Sequence, residues 1–221
     1  MTDISVLYSG GLDSTLASAM LARKGYTLHL LTFDNGVSYG VDSSRIHVGE
    51  LQSLFPGRIS THKIIRSSGL FKRMSLVPIE EDFKKYGNTN LVCLGCKLSM
   101  FAHSIIYSID NGITKIVDGF NQRQDGFPEQ KVVVKDELKK WMEKYNIQYI
   151  NPIYYNHSKE SVKEKLFDIG VLPKSIEAAC MFGGTFSPST DENALAYVKE
   201  KISIGDNYIE MYTNNKRSVP L

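Results

Sequence analysis

Short apolar runs alternate with segments of helical periodicity along most of the chain. We predict strands at 4–8, 27–33, 58–65, 113–117 and 148–150, and helices at 13–23, 43–54, 94–110, 135–145, 159–169 and 191–202. This alternation is typical of a parallel sheet with helices packed on it. Uninterrupted apolar runs indicate strands buried on both faces. The sequence therefore predicts an α/β fold with a Rossmann-like, doubly wound sheet of about five mainly parallel strands.

The length of 221 residues favours one domain with an appendage. We expect a main domain over residues 1–180 and a C-terminal extension over 181–221 that packs on the same domain. This extension is expected either to cover the site or to support a homodimer. Apolar residues make up 42% and charged residues 23%, which excludes a disordered chain.

The charge balance and hydropathy pattern limit the partners. The 26 basic and 24 acidic residues leave a net charge of +2, so no large field drives nucleic-acid binding. We find no apolar stretch of the roughly 18 residues that span a bilayer and no basic leader segment. The sequence predicts a cytoplasmic protein with no membrane partner.

The segment Ser9–Ser14, with the sequence Ser-Gly-Gly-Leu-Asp-Ser, lies between the first predicted strand and the first predicted helix. We call it the phosphate loop. A helix N-terminus at this place in an α/β sheet binds anions, and glycines let the backbone approach a phosphate closely. The Ser9 and Ser14 hydroxyls and the Asp13 carboxylate suit phosphate oxygens or Mg²⁺. The simpler alternative is a strand-to-helix turn with a Ser or Asp N-cap.

Other nucleotide motifs are missing, because the sequence has no G-x-x-x-x-G-K-[ST] and no G-x-G-x-x-G after the first strand. The phosphate loop resembles the SGGxDS signature of the PP-loop ATP pyrophosphatases. That superfamily includes tRNA thiolases, GMP and argininosuccinate synthetases, and the 7-cyano-7-deazaguanine synthase. The resemblance implies Mg²⁺-dependent cleavage of ATP between its α and β phosphates. A substrate carbonyl oxygen would be adenylated, and a nucleophile would then displace AMP.

The same resemblance implies an ATP site. It consists of Ser9, Gly10, Gly11, Leu12, Asp13, Ser14, Thr32, Phe33, Asp34 and Gly119. Residues 32–34, at the end of the second strand, would approach the adenine and ribose, and Gly119 follows the fourth strand. We assign catalytic roles to Asp13 and to Lys97, which would steady the phosphates or the developing charge.

The three cysteines are Cys93 and Cys96, which form C-x-x-C before a predicted helix, and the distant Cys180. Segments that follow parallel strands emerge at one sheet edge, so the three thiols are expected near the phosphate loop. The residues alone leave several fates open: a metal or cluster site, inert buried thiols, or a structural zinc that still needs a fourth ligand.

This cysteine arrangement resembles the TtcA/TtuA-like tRNA 2-thiolation enzymes. The resemblance implies a [4Fe-4S] cluster on Cys93, Cys96 and Cys180, with one iron free to carry sulfide and Cys180 needed for catalysis. A second resemblance, to the cluster-free thiouridylase MnmA, implies persulfide transfer instead. Zinc or no metal is the remaining alternative.

We therefore expect an ATP-dependent sulfurtransferase that thiolates a nucleobase-like substrate, either a free heterocycle or a tRNA base. Sulfide or a persulfide carrier would supply the sulfur. The first alternative is a ligase of the 7-cyano-7-deazaguanine synthase type that uses ammonia. The second is a nucleotide-binding regulatory module without turnover.

Overall fold

The computed structural model of the chain describes residues 2–155, 158–183 and 187–217. Its strands are β1 Asp3–Leu7, β2 Thr27–Asp34, β3 Ser38–Tyr39, β4 Ile59–Arg66, β5 Lys115–Val117, β6 Gln148–Ile150 and β7 Ala179–Cys180. Five of them form one sheet in the order β4-β2-β1-β5-β6, and every neighbouring pair in it is parallel. The short strands β3 and β7 pair antiparallel as a separate ribbon. The predicted five-stranded α/β fold is confirmed.

The helices are α1 Leu12–Arg23, α2 Arg45–Leu54, α3 Ser68–Phe71, α4 Ile79–Lys85, α5 Val92–Asp110, α6 Val132–Glu143, α7 Lys159–Ile169 and α8 Asp191–Arg217. A π-helical turn covers Lys72–Leu76, and 3-10 turns cover Val41–Ser44, Gln122–Gln124 and Pro128–Gln130. Local chemistry fixes several helix ends. Ser158 caps α7, because its hydroxyl accepts a hydrogen bond from the Ser161 N–H at 3.1 Å.

Two apolar cores lie on opposite faces of the sheet. One contains Phe101 of α5, Trp141 of α6 and Tyr197 of α8, each at most 1% exposed. The other contains Leu16 of α1 and Leu166 of α7, both fully buried. Since a strand buried on both faces needs apolar residues at successive positions, this layering explains the uninterrupted apolar runs of β1 and β2.

Helix α8 extends well beyond the predicted end at residue 202. Its Ile209 is 1% exposed, so the apolar face continues into the second half of the helix. Asp206 of α8 accepts hydrogen bonds from Trp141 Nε1 at 2.6 Å and from Tyr145 Oη at 2.7 Å, both on the α6 side. The polar residues of the last turns obscured this periodicity in the sequence.

Helix α5 differs from the expectation that no apolar stretch in the chain has the length of a membrane span. Within the described ranges it is long and apolar enough to meet the length and composition of a membrane span. Most of it, however, is buried inside the protein, where it packs against α8 and the sheet. A core helix of an α/β domain has this composition because it is covered on most sides.

Candidate active site

The phosphate loop connects β1 to α1 at the centre of the sheet. Gly10 has a φ of +80°, and an added Cβ would lie 3.0 Å from Ser44 Cα, so the tight turn requires glycine. The loop is braced internally, because Ser9 Oγ accepts from Gly11 N–H at 3.1 Å and lies 3.2 Å from Ser14 Oγ. Gly11 precedes α1 and has no side chain to cap it. The first N–H groups of α1 are therefore oriented for an anion.

The loop opens onto a cleft of about 580 Å³ at the carboxyl ends of the strands. β1 lies between β2 and β5, whose connections leave on opposite sides, so this is the switch point at which α/β sheets bind ligands. The walls come from the phosphate loop, the end of β2, the first two turns of α5, the segment after β5 and the segment at 175–182.

Most of the predicted ATP residues line this cleft: Ser9, Gly11, Leu12, Asp13, Ser14, Thr32, Phe33 and Gly119. Gly10 shapes the turn behind them. Asp34 does not line the cleft, and its Oδ1 instead accepts a hydrogen bond from Gly36 N–H at 2.9 Å. Asn35 takes that place on the cleft wall. Sequence reasoning missed it because the twist at the end of β2 decides which of two adjacent polar residues faces inward.

The segment after β5 closes against α1. A Cβ on Gly119 would lie 2.7 Å from the Ser14 backbone nitrogen, so only glycine permits this approach. Arg123 then reaches back, and its guanidinium donates to Asp13 Oδ2 at 2.6 Å. Asn121 Nδ2 lies 3.5 Å from the other carboxylate oxygen of Asp13. These contacts place a cation and a carboxylate together beside the phosphate loop.

Lys97 projects from α5 into the same cleft. Its Nζ lies 3.2 Å from Asp118 Oδ2 and 3.9 Å from the centre of the Phe120 ring. Asp118 is 3% exposed and also accepts from Tyr149 Oη at 2.9 Å and from Asn151 Nδ2 at 2.6 Å. The ammonium group is therefore held by a fixed, buried carboxylate on one wall of the cleft. Its predicted role toward phosphate stays a prediction.

The segment at 172–183 crosses over the phosphate loop. Ile176 N–H donates to Gly10 O at 3.3 Å, and Ser43 Oγ donates to Ile176 O at 2.5 Å. Glu177 Oε2 lies 3.5 Å from Ser9 Oγ and would be 2.6 Å from a Cβ on Gly11. A carboxylate thus lies directly over the phosphate loop, a contact 168 residues apart in sequence that no local pattern predicts.

All three cysteines line the cleft, as expected. Burial raises the pKa of Cys93 to about 12, and the charge of Glu129 contributes to the increase. Burial likewise raises the pKa of Cys96 to about 12, although a hydrogen bond from Asn35 Nδ2 at 3.3 Å opposes it. Two of the thiols are therefore protonated at neutral pH.

The expected [4Fe-4S] site at Cys93, Cys96 and Cys180 is not supported. Across residues 2–155, 158–183 and 187–217, no three His, Cys, Asp or Glu side chains are grouped so that they could hold a metal ion. The C-x-x-C lies at the start of α5, where Cys96 points into an apolar cluster with Phe71 and Val92. Apolar packing thus accounts for the position of Cys96.

Comparison with known proteins identifies the family. The family model described as "Queuosine biosynthesis protein QueC" matches residues 3–184. No curated protein sequence matches the chain.

Two solved structures are similar. The NMN synthetase from Francisella tularensis is 15% identical over 100% of this chain and 88% of its own, with a TM-score of 0.53. A predicted subunit of tRNA methyltransferase from Methanocaldococcus jannaschii is 19% identical over 82% of this chain and 97% of its own, with a TM-score of 0.46. The first likeness supports the α/β fold. The family match spans both the phosphate loop and the cleft, and on that ground the chain belongs to the QueC family.

Proposed function

We propose that the chain is an ATP-dependent ligase of the 7-cyano-7-deazaguanine synthase type. The observation that carries the proposal is the QueC match over residues 3–184, which includes a phosphate loop opening on a cleft at the switch point of the sheet. The PP-loop superfamily to which this family belongs supplies the reaction class: adenylation with release of pyrophosphate. The acceptor is a nucleobase-like small molecule.

The phosphate loop and Arg123 would bind the phosphates that leave as pyrophosphate, since main-chain N–H groups and a guanidinium stabilise developing negative charge. The adenosine would lie toward Thr32 and Phe33 at the end of β2, which line the cleft. In this arrangement the α-phosphate would lie toward the middle of the cleft, facing α5. An acceptor carboxylate held there would attack it.

Mg²⁺ fits the donor groups present. Asp13 belongs to the phosphate loop, and the Glu177 carboxylate lies 3.5 Å from Ser9 Oγ of that loop. Without a cation between them, Glu177 would repel an anionic ligand bound to the loop. One or two carboxylates with substrate phosphates is the usual protein environment of Mg²⁺. When bound, the ion would supply charge neutralisation for the departing pyrophosphate.

The conversion of a carboxylate to a nitrile determines how many ATP molecules are consumed. A carboxylate attacks the α-phosphate of ATP, and pyrophosphate leaves; ammonia then displaces AMP, loses a proton and forms the amide. In a second round the amide oxygen attacks the α-phosphate of another ATP and pyrophosphate leaves; loss of AMP and of both amide protons then yields the nitrile. The two carboxylate oxygens thus leave on two AMP molecules. The acceptor is accordingly a deazaguanine with a carboxyl group at position 7.

The test combines Mg·ATP, 7-carboxy-7-deazaguanine and ¹⁵N-ammonium with the full chain. We expect a product that contains ¹⁵N and two AMP and two pyrophosphate per nitrile formed. Formation of ADP, or AMP release that does not respond to ammonium, would contradict the proposal. Asp13→Asn is the inactive control.

Sulfur transfer is the second candidate, because all three cysteines line the ATP cleft. The high pKa of Cys93 and Cys96 argues against it, since the thiolate is the reactive form. The variant Cys93→Ser/Cys96→Ser/Cys180→Ser separates the two. The ligase proposal predicts that ammonia-dependent AMP release persists in this variant, whereas a thiolase would lose turnover.

A further inference from the structure

Glu129 is a cleft residue that the reaction described above does not use. It lies in the 3-10 turn Pro128–Gln130, between β5 and α6, and lines the cleft together with Cys93 and Lys97. The turn is fixed, because Pro128 is buried and Gln130 Oε1 accepts a hydrogen bond from Asn121 N–H at 3.3 Å. The backbone of this turn therefore holds the Glu129 side chain at a fixed place on the cleft wall.

One oxygen of the Glu129 carboxyl group lacks a donor. Its Oε2 is buried and has no hydrogen-bond partner among the residues that the structure describes. Burial raises the pKa of Glu129, while its own backbone N–H and the charge of Lys97 lower it. Lys97 is already committed to Asp118 at 3.2 Å and to the Phe120 ring. A buried acceptor without a donor is destabilising, and a ligand with N–H groups would remove that cost.

The neighbouring surface suits a flat heterocycle. The protonated thiols of Cys93 and Cys96 and the thioether of Met100 line the same cleft and offer soft, weakly polar contacts. A carboxylate accepts best from two adjacent N–H donors, which it binds in a bidentate manner. A 2-aminopyrimidin-4-one ring has such an edge, formed by its ring N–H and its exocyclic amino group. The equivalent edge of adenine has a ring nitrogen lone pair, which a carboxylate repels.

We propose that Glu129 selects the acceptor, with its carboxylate accepting two hydrogen bonds from the ring N–H and 2-amino group of a 2-aminopyrimidin-4-one heterocycle. This inference rests on the proposed function, because it places the acceptor between Glu129 and the α-phosphate of ATP. The same contact explains how the cleft distinguishes the acceptor ring from the adenine of ATP. A ring that lacks the donor edge leaves the buried carboxylate unpaired and is rejected.

The test is a binding measurement without turnover. Isothermal titration of the full chain, saturated with α,β-methylene-ATP, compares 7-deazaguanine with 7-deazahypoxanthine, which differ only in the 2-amino group. We expect the wild type to bind 7-deazaguanine at least about tenfold more tightly, which corresponds to about 1.4 kcal/mol. Glu129→Gln, which replaces one acceptor by a donor, should lose most of that preference.

Matched variants keep the result interpretable. Glu192→Gln removes an exposed carboxylate of α8 that does not line the cleft, and it should leave the ring preference unchanged. Glu129→Asp keeps the charge at shorter reach and should bind both rings more weakly while retaining a preference for the amino form. An unchanged Tm in thermal unfolding shows that each variant is folded.

Equal preference in the wild type and in Glu129→Gln would overturn the inference, as would a wild type that binds both rings equally. A Glu129→Gln variant with normal ring selection but slower use of ammonium would also overturn it, since the carboxylate would then serve the nucleophile. The ring preference could depend on Glu129 in a chain that shows no ammonia-dependent AMP release. That result would contradict the proposed ligase activity and support the role of Glu129.

Discussion

The Asp13 carboxylate accepts a hydrogen bond from the Arg123 guanidinium at 2.6 Å, across 110 residues of sequence. This pair joins the first turn of α1 to the segment after β5 and lies at the edge of the phosphate loop. Both side chains retain some solvent contact, at 17% for Asp13 and 25% for Arg123. A pair of this kind contributes at most about 1 kcal/mol to stability. Its importance is therefore expected in ATP binding rather than in folding.

Replacement of the pair should separate chemistry from stability. We expect Asp13→Asn to lower the rate of AMP formation by about 100-fold or more. We expect Arg123→Ala to raise KM for ATP by about tenfold, because a charge-assisted contact to phosphate is lost. Steady-state kinetics measures the catalytic effects of the two variants, and thermal unfolding measures their stability. A fall in Tm of more than about 5 °C in either variant, with normal kinetics, would show that the pair is structural.

Gly119→Ala tests the close approach between the segment after β5 and α1. The new Cβ would lie 2.7 Å from the Ser14 nitrogen, so backbone must shift at the phosphate loop. We expect a loss of about 1–3 kcal/mol in the free energy of unfolding together with weaker ATP binding. Gly126→Ala is the control, since nothing lies within 4 Å of its Cβ position. Equal ATP affinity in the two variants would contradict the close packing.

The phosphate loop and the sheet could be predicted from sequence because both depend on local patterns. The run Ser9–Ser14 follows a buried strand and opens a helix, and neither fact needs distant residues. The switch point follows from the strand order that such alternation favours. The sequence predicts the C-x-x-C just before a helix that starts at residue 94, whereas α5 begins at Val92, so the motif lies in the first turns of that helix and lines the cleft.

The remaining cleft residues could not be predicted, because their positions depend on connections without periodicity. Glu129 lies in a 3-10 turn, and Glu177 lies in a segment that reaches the phosphate loop through the β3–β7 ribbon. The metal assignment of the cysteines was not supported because thiol spacing does not report burial. Cys96 is packed among apolar side chains and paired with Asn35.

Glu177 should govern how strongly ATP binding depends on Mg²⁺. Its carboxylate lies over the phosphate loop, so it repels metal-free phosphate and favours a bridging cation. We expect Glu177→Gln to tighten ATP binding in EDTA by about fivefold and to reduce the gain on adding Mg²⁺. Calorimetric titration with and without Mg²⁺ measures this. An unchanged ratio of the two affinities would place Glu177 outside the phosphate site.

Glu200 of α8 should destabilise the fold when it is protonated. Burial alone would raise its pKa, but hydrogen bonds from Lys85, Tyr86 and Lys201 lower the pKa from 4.5 to about 2. A carboxylate with a lowered pKa in the folded state stabilises above pH 4.5, and this contribution disappears as the pH falls to about 2. The side chain is 38% exposed, so the effect is on the order of 1 kcal/mol. Urea unfolding of wild type and Glu200→Gln at pH 3 and 7 tests it, and parallel pH curves would contradict it.

The most direct test of the central claim follows oxygen from the acceptor to AMP. Acceptor labelled with ¹⁸O in its carboxyl group is incubated with Mg·ATP and ammonium, and AMP and pyrophosphate are analysed by mass spectrometry. Adenylation at the phosphate loop predicts one ¹⁸O in each AMP, none in pyrophosphate, and an ammonia-derived nitrogen in the product. Unlabelled AMP, or the formation of ADP and phosphate, would show that the acceptor oxygen never attacks the α-phosphate and would contradict the account.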